Sequence, residues 1–466
     1  MSTSGLDAGS LRERMTTALG DDRLQRSLAN ATGRFDQGRR TAFSTLPDPS
    51  GIRHTARAVR NEVLAELPRI VERFAETAAA AGTTVHWALD AEAANAIVVD
   101  IVRAAGAHRV VKGKSMATEE TAMNDVLAEA GLDVIETDLG EWILQLADDT
   151  PSHLIAPAVH LDRTQIRDIL QPTSAAALST DPEELAAHAR TTLRAAFLAG
   201  EVGITGCNLA IAETGSILLV ENEGNGRMST TLPRIHIAVM GVERIVETWE
   251  QADTILNVLA RSATGQHVTT YTNVVTGPRR DGEVDGPDEV HVIVLDNGRS
   301  ELLGTPLAEA LGCIRCGACL NVCPVYRQVG GHAYGWVYSG PIGAVLTPML
   351  AADHERAAEL SSASTLCGAC MEACPVEIPL QDLLLELRAR KAAGAGTAEK
   401  SGWHAWATAW GSGGRYRAST RAATRGRKLT RLAGRMPGGA AWATGRTLPM
   451  PAARTFRDLW DAGAVR

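Results

Sequence analysis

Seven of the eight cysteines lie in two short runs, and this spacing constrains the fold more than any other feature of the chain. The first run, CIRCGACLNVCP, extends from Cys313 to Pro324, and the second, CGACMEACP, extends from Cys367 to Pro375. The first has the C-x2-C-x2-C-x3-C-P spacing of bacterial two-cluster ferredoxins. The C-x3-C-P endings argue against zinc, whose sites usually pair C-x2-C or Cys/His ligands. We therefore interpret both runs as ligands of iron–sulfur clusters.

In this pattern the last cysteine of each run binds the cluster of the other run. The predicted ligands of cluster one are Cys313, Cys316, Cys319 and Cys374, and those of cluster two are Cys323, Cys367 and Cys370. Ser364 occupies the position of the missing eighth cysteine. We expect a 4Fe–4S cluster at the first site and a 4Fe–4S or 3Fe–4S cluster at the second. A fourth ligand of cluster two could come from Ser364, Glu372, solvent or a partner subunit.

Strands and helices alternate before the cysteine runs, which predicts an α/β fold with a parallel sheet covered by helices. Strands are predicted at 83–88, 109–112, 132–136, 208–212, 216–220, 233–240, 268–275 and 290–295. Helices are predicted at 10–33, 53–81, 90–105, 116–130, 181–199, 242–260 and 380–391, with loops at 45–51, 222–227 and 277–288. Apart from the two cysteine runs, we see no internal repeat.

Four regions follow from these patterns. They are an N-terminal helical extension (1–52), an α/β domain (53–303), an α-helical two-cluster ferredoxin-like domain (304–391) and a basic, tryptophan-containing C-terminal region (392–466). The net charge of −8 is uneven, because residues 388–466 contain 16 Lys/Arg and 3 Asp/Glu. A basic region of this kind suits an anionic membrane surface, an acidic partner or a nucleic acid, or is a solvated end of the chain. Trp403, Trp406 and Trp410 have helical spacing and are interpreted as packing residues.

Two polar segments of the α/β domain could form an anion pocket. Lys112 to Ser115 join a strand to a helix, where backbone N–H groups and lysines attract anions. The second segment carries Arg227, whose guanidinium can bind a carboxylate with two hydrogen bonds. The candidate pocket residues are Lys112, Lys114, Ser115, Glu213, Thr214, Asn225 and Arg227. The alternative is that these residues only build turns and helix caps.

Other reactive side chains are assigned to packing. Cys207 lies in an apolar strand without an adjacent histidine, so we expect a buried thiol and no catalysis. His86, His236 and His291 lie within strand patterns and are expected in the core or behind ligand residues, not as ligands themselves. No run of about 18 apolar residues occurs, and the N-terminus lacks a secretory signal pattern. We therefore expect a cytoplasmic protein.

Several motifs resemble the lactate-utilisation iron–sulfur protein family of the LutB type. In chain order they are VHWA, KGKSMATEE, GITGCNLAIAETGS, NEGNGRM and LGCIRCGACLNVCP, within residues 50–390. The resemblance implies a LUD domain, related to the NagB/ribose-isomerase/CoA-transferase-like fold, and a seven-cysteine pattern in which Ser364 is typical. It also implies membership of a three-protein complex that oxidises L-lactate to pyruvate. The companions would be a cysteine-rich subunit and a small LUD-domain subunit.

The sequence thus predicts an electron-transfer subunit of an oxidoreductase complex. No G-x-G-x-x-G fingerprint opens a helix, so the hydride acceptor is expected on a partner or is unconventional. One alternative is an equivalent subunit for another 2-hydroxy acid such as glycolate. Another is a ligand-binding module that senses redox state. The basic tail is expected to dock on a respiratory-chain component or the inner face of the membrane, and no nucleic acid is expected.

Overall fold

The computed structural model describes residues 6–429 and 449–465. Contacts between residues divide the chain into two compact units, Met1–Ala389 and Arg390–Arg466. The first unit contains both sheets and all the cysteines. The boundaries predicted after residues 52 and 303 therefore fall inside one packed unit.

A parallel sheet forms the centre of the first unit. Its strands are β1 Thr84–Ala88, β2 Arg109–Lys112, β3 Asp133–Glu136, β4 Val202–Thr205, β7 Ile235–Gly241 and β10 Glu289–Leu295. Their order across the sheet is β1-β10-β7-β4-β2-β3, and every pairing is parallel. Every residue of β7 is buried, as expected for a strand covered by helices on both faces. The predicted α/β fold with a parallel sheet is confirmed.

A smaller mixed sheet lies beside it. Its strands are β5 Leu209–Ile211, β6 Ser216–Glu221, β8 Ile245–Val246 and β9 Tyr271–Val275, in the order β8-β5-β6-β9. The turn between β5 and β6 requires glycine at position 215, where φ is +66°. A Cβ atom there would collide with the backbone nitrogen of Ala78. The close approach holds the second sheet against the helix Leu67–Ala80.

Helices cover both sheets and build the cysteine-containing part. The helices of the first unit are Leu11–Leu19, Asp22–Ser44, Pro49–Ala65, Leu67–Ala80, Ala91–Ala104, Met116–Glu120, Met123–Glu129, Leu139–Ala147, Arg163–Leu170, Pro182–Ala199, Asn225–Thr231, Trp249–Ala263, Ala318–Val322, Tyr326–Val329, Gly340–Leu350, His354–Ala357, Ala369–Ala373 and Leu380–Ala393, which continues into the second unit. One hydrophobic core runs from Phe74 in the α/β part to Cys316 and Leu384 in the cysteine-containing part.

Three predicted helices are interrupted in the structure. The helix predicted at 10–33 ends at Leu19, and a new one begins after Asp21, whose carboxylate caps it. The helix predicted at 53–81 breaks at Glu66, because Pro68 cannot donate a backbone hydrogen bond. The helix predicted at 116–130 breaks at Ala122, which has a left-handed φ of 54°.

Two further predictions were wrong in detail. The segment 222–227 was predicted as a loop, but the helix Asn225–Thr231 begins there after Gly224, which has φ of +81°. The helix predicted at 242–260 begins at Trp249, because the residues before it form β8. The first error arose because the residues of 222–227 are typical of turns. The second arose because apolar residues before Trp249 have a spacing that also fits a helix.

A buried ion network joins the α/β part to the cysteine-containing part. The guanidinium of Arg299 donates to both oxygens of Glu120, at 2.8 and 2.7 Å. Tyr338 donates its hydroxyl hydrogen to Glu120 at 2.7 Å. On its other side Arg299 pairs with Glu243 at 2.7 Å, and Glu243 also pairs with Arg315 at 3.3 Å. Burial opposes the charge on Glu243, but the surrounding arginines lower the pKa of its carboxyl to about 2.

The described part of the second unit is largely helical and exposes most of its aromatic side chains. Its further helices are Thr397–Trp410, Gly413–Arg425 and Phe456–Asp461. Trp403, Trp406 and Trp410 are 62%, 53% and 48% exposed and contact one another along their helix. Trp410 also contacts the ring of Tyr416 in the next helix, with centroids 5.6 Å apart, so the packing predicted for these tryptophans occurs among the aromatic side chains of the second unit. Among the described residues, no helix combines the length and apolarity needed to cross a membrane.

We predict that Arg299→Met lowers the free energy of unfolding by about 3–5 kcal/mol, because Glu120 and Glu243 are left charged and buried. The matched control is Arg167→Met at the exposed Arg167–Asp168 pair, which should cost no more than about 1 kcal/mol. Urea unfolding of both purified variants measures the difference. It should shrink as the pH falls from 4.5 toward 2, where Glu243 becomes protonated and its contribution is lost. Equal losses of unfolding free energy in the two variants would contradict the stabilising role assigned to the buried Arg299 network.

Candidate functional site

The two cysteine runs adopt the same local structure. In each, a residue with left-handed φ precedes a cysteine, namely Arg315 at 59° and Leu366 at 55°. A glycine with positive φ then opens a five-residue helix, and the last cysteine follows that helix. This path turns the chain tightly enough for closely spaced sulfurs to face one centre. The sequence repeat is thus also a structural repeat.

Four thiols from both runs line one small apolar cavity. Its walls include Cys313, Cys316, Cys319, Cys374, Leu154, Ile314, Ile342, Val376, Ile378 and Leu380. The backbone N–H groups of Arg315 and Ile378 each donate to a cysteine sulfur, in both cases at 3.4 Å. Burial, and then the nearby Cys374 thiolate, raises the pKa of Cys316. Four sulfur ligands, apolar walls and backbone donors fit an iron–sulfur cluster.

The other three thiols form a second group beside the first. Burial raises the pKa of Cys370 to about 11, and the Cys323 thiolate adds to this rise. Burial and then Cys367 act in the same direction on Cys323. Cys367 itself is exposed, and the N–H of Ala369 lowers its pKa. The structure therefore groups the seven cysteines as four and three, and the three-thiol group reaches the surface.

A larger cavity lies at the carboxyl ends of β2, β4 and β7. Its volume is about 290 Å³, and it is lined by residues that follow these strands, including Lys114, Ser115, Cys207, Asn208 and Arg244. Ligands of open α/β sheets commonly bind at this edge. Arg315 and Tyr338 contribute to the lining from the cysteine-containing part. The cavity is therefore formed jointly by the sheet and the polypeptide around the first thiol group.

Only part of the predicted anion pocket lines this cavity. Lys114, Ser115 and Asn225 are among the lining residues. Lys112 is instead fully buried, with its ammonium 2.7 Å from Glu136 and 3.2 Å from Glu119. Burial alone would lower the pKa of Lys112, but these carboxylates raise it above its ordinary value. Lys112 is therefore committed to an internal ion pair.

The remaining predicted pocket residues also lie outside the lining. Glu213 accepts a hydrogen bond from the N–H of Trp249, and Thr214 bonds with Ser216 in the turn between β5 and β6. The exposed Arg227 donates its backbone N–H to Glu221 at 2.6 Å. These three residues build turns and a helix start, which is the alternative that the sequence left open.

Sequence reasoning missed the arginines of the cavity. Arg244 donates to the carbonyl oxygens of Cys313 and Asn208, at 2.9 and 2.7 Å. Arg315 lies inside the first cysteine run, where its guanidinium is also 4.3 Å from the ring of Tyr338. The position of Arg315 between two predicted ligand cysteines could be read from the sequence. Its proximity to the ends of β7 and β4 could not be predicted, because it depends on long-range packing.

The cysteine outside the two runs and the three strand histidines make contacts typical of packing residues. Burial raises the pKa of Cys207 to about 12, so its thiol is protonated at neutral pH. His236 is buried and lies 2.8 Å from the hydroxyl of Thr205. His86 and His291 stack on each other with ring nitrogens 3.1 Å apart. His236 therefore lies in the core, as predicted, whereas His86 and His291 are only half-buried.

One further group of side chains has ligand atoms close together. Asp149, His160 and His332 offer donor atoms within 4.8 Å of one another. The Asp149 carboxylate lies 2.9 Å from Nε2 of His160. Nε2 of His332 already lies 2.8 Å from the carbonyl oxygen of Thr150, which it serves as a hydrogen-bond donor. The group therefore works as a polar connection between the 149–160 segment and the cysteine-containing part.

Three family models match consecutive parts of the chain. They are the LUD domain over residues 71–295, the 4Fe-4S dicluster domain over 309–378, and the C-terminal region of lactate utilisation protein B over 386–464. A crystal structure of a DUF162 family protein from Deinococcus radiodurans is 19% identical and covers 49% of this chain and 98% of its own. Its TM-score of 0.29 is too low to support an argument.

Curated relatives extend over nearly the whole chain. Lactate utilization protein B of Bacillus licheniformis is 43% identical over 97% of this chain and 96% of its own length. The protein of the same name from Bacillus subtilis is 47% identical over 82% of this chain and 80% of its own. The Shouchella clausii protein is 49% identical over 81% and 79%. The chain therefore belongs to the lactate utilization protein B family of iron–sulfur proteins.

Proposed function

We propose that this chain is the electron-transfer subunit of a complex that oxidises L-lactate to pyruvate. The observation that carries the proposal is the arrangement of the seven cysteines. Four line an internal cavity, and three lie beside them with Cys367 exposed. An internal centre next to a surface centre suits a relay that accepts electrons inside the protein and releases them at its surface. The same arrangement would serve another 2-hydroxy acid, such as glycolate.

The relay requires two iron–sulfur clusters with separate ligand sets. Cys313, Cys316, Cys319 and Cys374 would bind cluster one, and Cys323, Cys367 and Cys370 would provide three ligands of cluster two. When bound, such clusters supply one-electron transfer. Lactate loses two electrons and two protons as its C–OH becomes C=O. We assign the acceptor of this pair to a partner subunit, from which this chain would receive the electrons one at a time.

The cavity at the sheet edge suits a small carboxylate. Nζ of Lys114 and Nη1 of Arg315 are buried and have no hydrogen-bond partner among the described residues. The nearest carboxylate to Lys114 belongs to Glu141, at 3.8 Å. Burial and then Glu119 raise the pKa of Glu141 well above its ordinary value, which favours its neutral form. The lysine therefore retains a positive charge that an anionic ligand can neutralise.

Other acidic residues also line the cavity, but two of them are already hydrogen-bonded. Glu243 is paired with arginines, and Glu221 accepts N–H groups from Gly226 and Arg227. Arg244 and Arg315 connect the cavity with Cys313 through hydrogen bonds at 2.9 and 3.4 Å. A carboxylate bound there would lie next to cluster one. We infer that the cavity binds the 2-hydroxy acid or its 2-oxo product, or senses it.

The partners proposed are a cysteine-rich subunit and a small LUD-domain subunit. The exposed tryptophans of the helix Thr397–Trp410 suit docking, since tryptophan is enriched at protein interfaces and at membrane surfaces. The charged side chains of the following helix Gly413–Arg425 are all arginines. This surface is proposed to bind an acidic partner, with an anionic membrane as the alternative.

For the ligand sets, we predict that Cys374→Ala abolishes cluster one although Cys374 belongs to the second run. Cys370→Ala should abolish cluster two and retain cluster one. Cys207→Ala is the matched control and should retain both. Iron and sulfide analysis with EPR of the reduced protein distinguishes the variants. Loss of the same EPR signal in Cys374→Ala and Cys370→Ala would refute the exchange of ligands between runs.

For the relay, we predict that the purified chain binds two clusters but does not reduce a dye with lactate, because the two-electron acceptor is on a partner. Affinity purification from the native host should recover the partners and lactate-dependent dye reduction. Robust turnover by the single chain would overturn the proposal.

The docking surface is tested in the same purification. Combined substitution of Trp403, Trp406 and Trp410 by serine should reduce partner recovery, whereas Trp87→Ser, at another exposed tryptophan, should not. Partner recovery retained together with loss from the membrane fraction would assign the surface to the membrane. If the triple variant retained both partner recovery and membrane association, docking through these side chains would be excluded.

For the cavity, we predict that pyruvate or lactate raises the melting temperature of the purified chain and that Lys114→Met weakens this binding by roughly 10- to 100-fold, the range for a lost charge-assisted hydrogen bond. Arg227→Met is the matched control, because this arginine lies outside the cavity lining. Calorimetric titration gives both affinities. Equal losses, or loss only in Arg227→Met, would place the carboxylate elsewhere.

A further inference from the structure

The repeat between the two cysteine runs places Ser364 in register with Cys313. Arg315 and Leu366 occupy equivalent positions with φ of 59° and 55°, a conformation that costs a non-glycine residue about 1–3 kcal/mol. Both runs contain this strained residue two positions after Cys313 or Ser364. The second run has therefore kept the ligand-binding conformation although its first cysteine is absent.

The side-chain oxygen of Ser364 has the same hydrogen bond as the sulfur of Cys313. The N–H of Arg315 donates to Sγ of Cys313 at 3.4 Å. The N–H of Leu366 donates to Oγ of Ser364 at 3.1 Å. The difference in length is in the direction expected when oxygen replaces the larger sulfur. Ser364 thus directs its oxygen along the path that Cys313 uses for its sulfur.

An arginine from the following helix holds this turn in place. Arg388 donates to the carbonyl oxygens of Ser361 and Ser364, both at 2.8 Å. These bonds fix the backbone on either side of the serine side chain. Ser364 is only half-buried, so a proton that its hydroxyl would lose on binding iron could pass to solvent.

The competing oxygen ligand, Glu372, has a less suitable position. It corresponds in register to Asn321 of the first run. Asn321 directs its side chain to His153, with Oδ1 3.1 Å from Nε2, and does not line the cavity of the four thiols. The register therefore gives Glu372 no counterpart among the four thiols of the first run. Glu372 is also exposed.

We propose that Oγ of Ser364 is the fourth ligand of cluster two. It would act with Cys323, Cys367 and Cys370, and the hydroxyl proton would be released as the Fe–O bond forms. Cluster two is then a 4Fe–4S cluster with one oxygen-ligated iron. The proposal rests on the presence of clusters but not on lactate oxidation, so spectroscopy of the purified chain can test it independently.

Mössbauer spectra of the full chain reconstituted with ⁵⁷Fe should contain one iron site with a distinct, oxygen-ligated signature. Ser364→Cys should retain all iron and lose that signature. Ser364→Ala should lose one iron and produce the EPR signal of an oxidised three-iron cluster. The unchanged signal of cluster one reports that each variant is folded. Ser362→Ala, at an exposed neighbouring serine, is the matched control and should resemble the unaltered protein.

Three results would overturn the proposal. One is a Ser364→Ala spectrum identical to that of the unaltered protein. Another is loss of the distinct iron site in Glu372→Gln with its retention in Ser364→Ala. The third is an unaltered chain that contains a three-iron cluster alone and gains a fourth iron only with a partner subunit.

Discussion

The structure depends on a buried network of charges in which Arg299 pairs with both Glu120 and Glu243. Removing a charge from water costs several kcal/mol, and only well-aligned partners offset this cost. Here the carboxylates come from the α/β part, while Tyr338 and Arg315 come from the cysteine-containing part. Because no member can move without leaving a buried charge unpaired, the network fixes the first cysteine run against the sheet.

This fixed position gives the first thiol group a cationic environment. Arg60 and Arg244 are buried nearby and donate to carbonyl oxygens of Leu311 and Cys313, and the partly buried Arg315 lies beside them. Nearby positive charge favours the more negative, reduced state of a cluster. The same Arg244 and Arg315 line the cavity at the sheet edge. One set of side chains would therefore influence both the proposed carboxylate ligand and the proposed cluster beside it.

The sequence predicted features that depend on local chemistry. Cysteine spacing identified the cysteine repeat, and the alternation of strands and helices identified the parallel sheet. Sequence-based prediction failed where contacts between distant segments determine the surroundings of a side chain. Lys112 was predicted as an anion ligand, but its ammonium is paired with the carboxylate of Glu136 from the neighbouring strand. Arg244 entered the cavity only because β7 lies beside β4. Residue type thus identified candidate ligands, whereas the sheet order decided which of them share a cavity.

The helix Pro49–Ala65 explains how the second run keeps its shape with three cysteines. It spans the predicted boundary between the N-terminal extension and the α/β domain, and it packs against the second run. Arg53 of this helix donates to the carbonyl oxygens of Glu372 and Cys374, and His54 pairs with Glu377. Arg388 holds the other end of the run. Protein contacts thus hold the backbone of the second run at both ends. The proposed ligation by Ser364 would therefore change the chemistry of the proposed second cluster without requiring a different fold of the polypeptide around it.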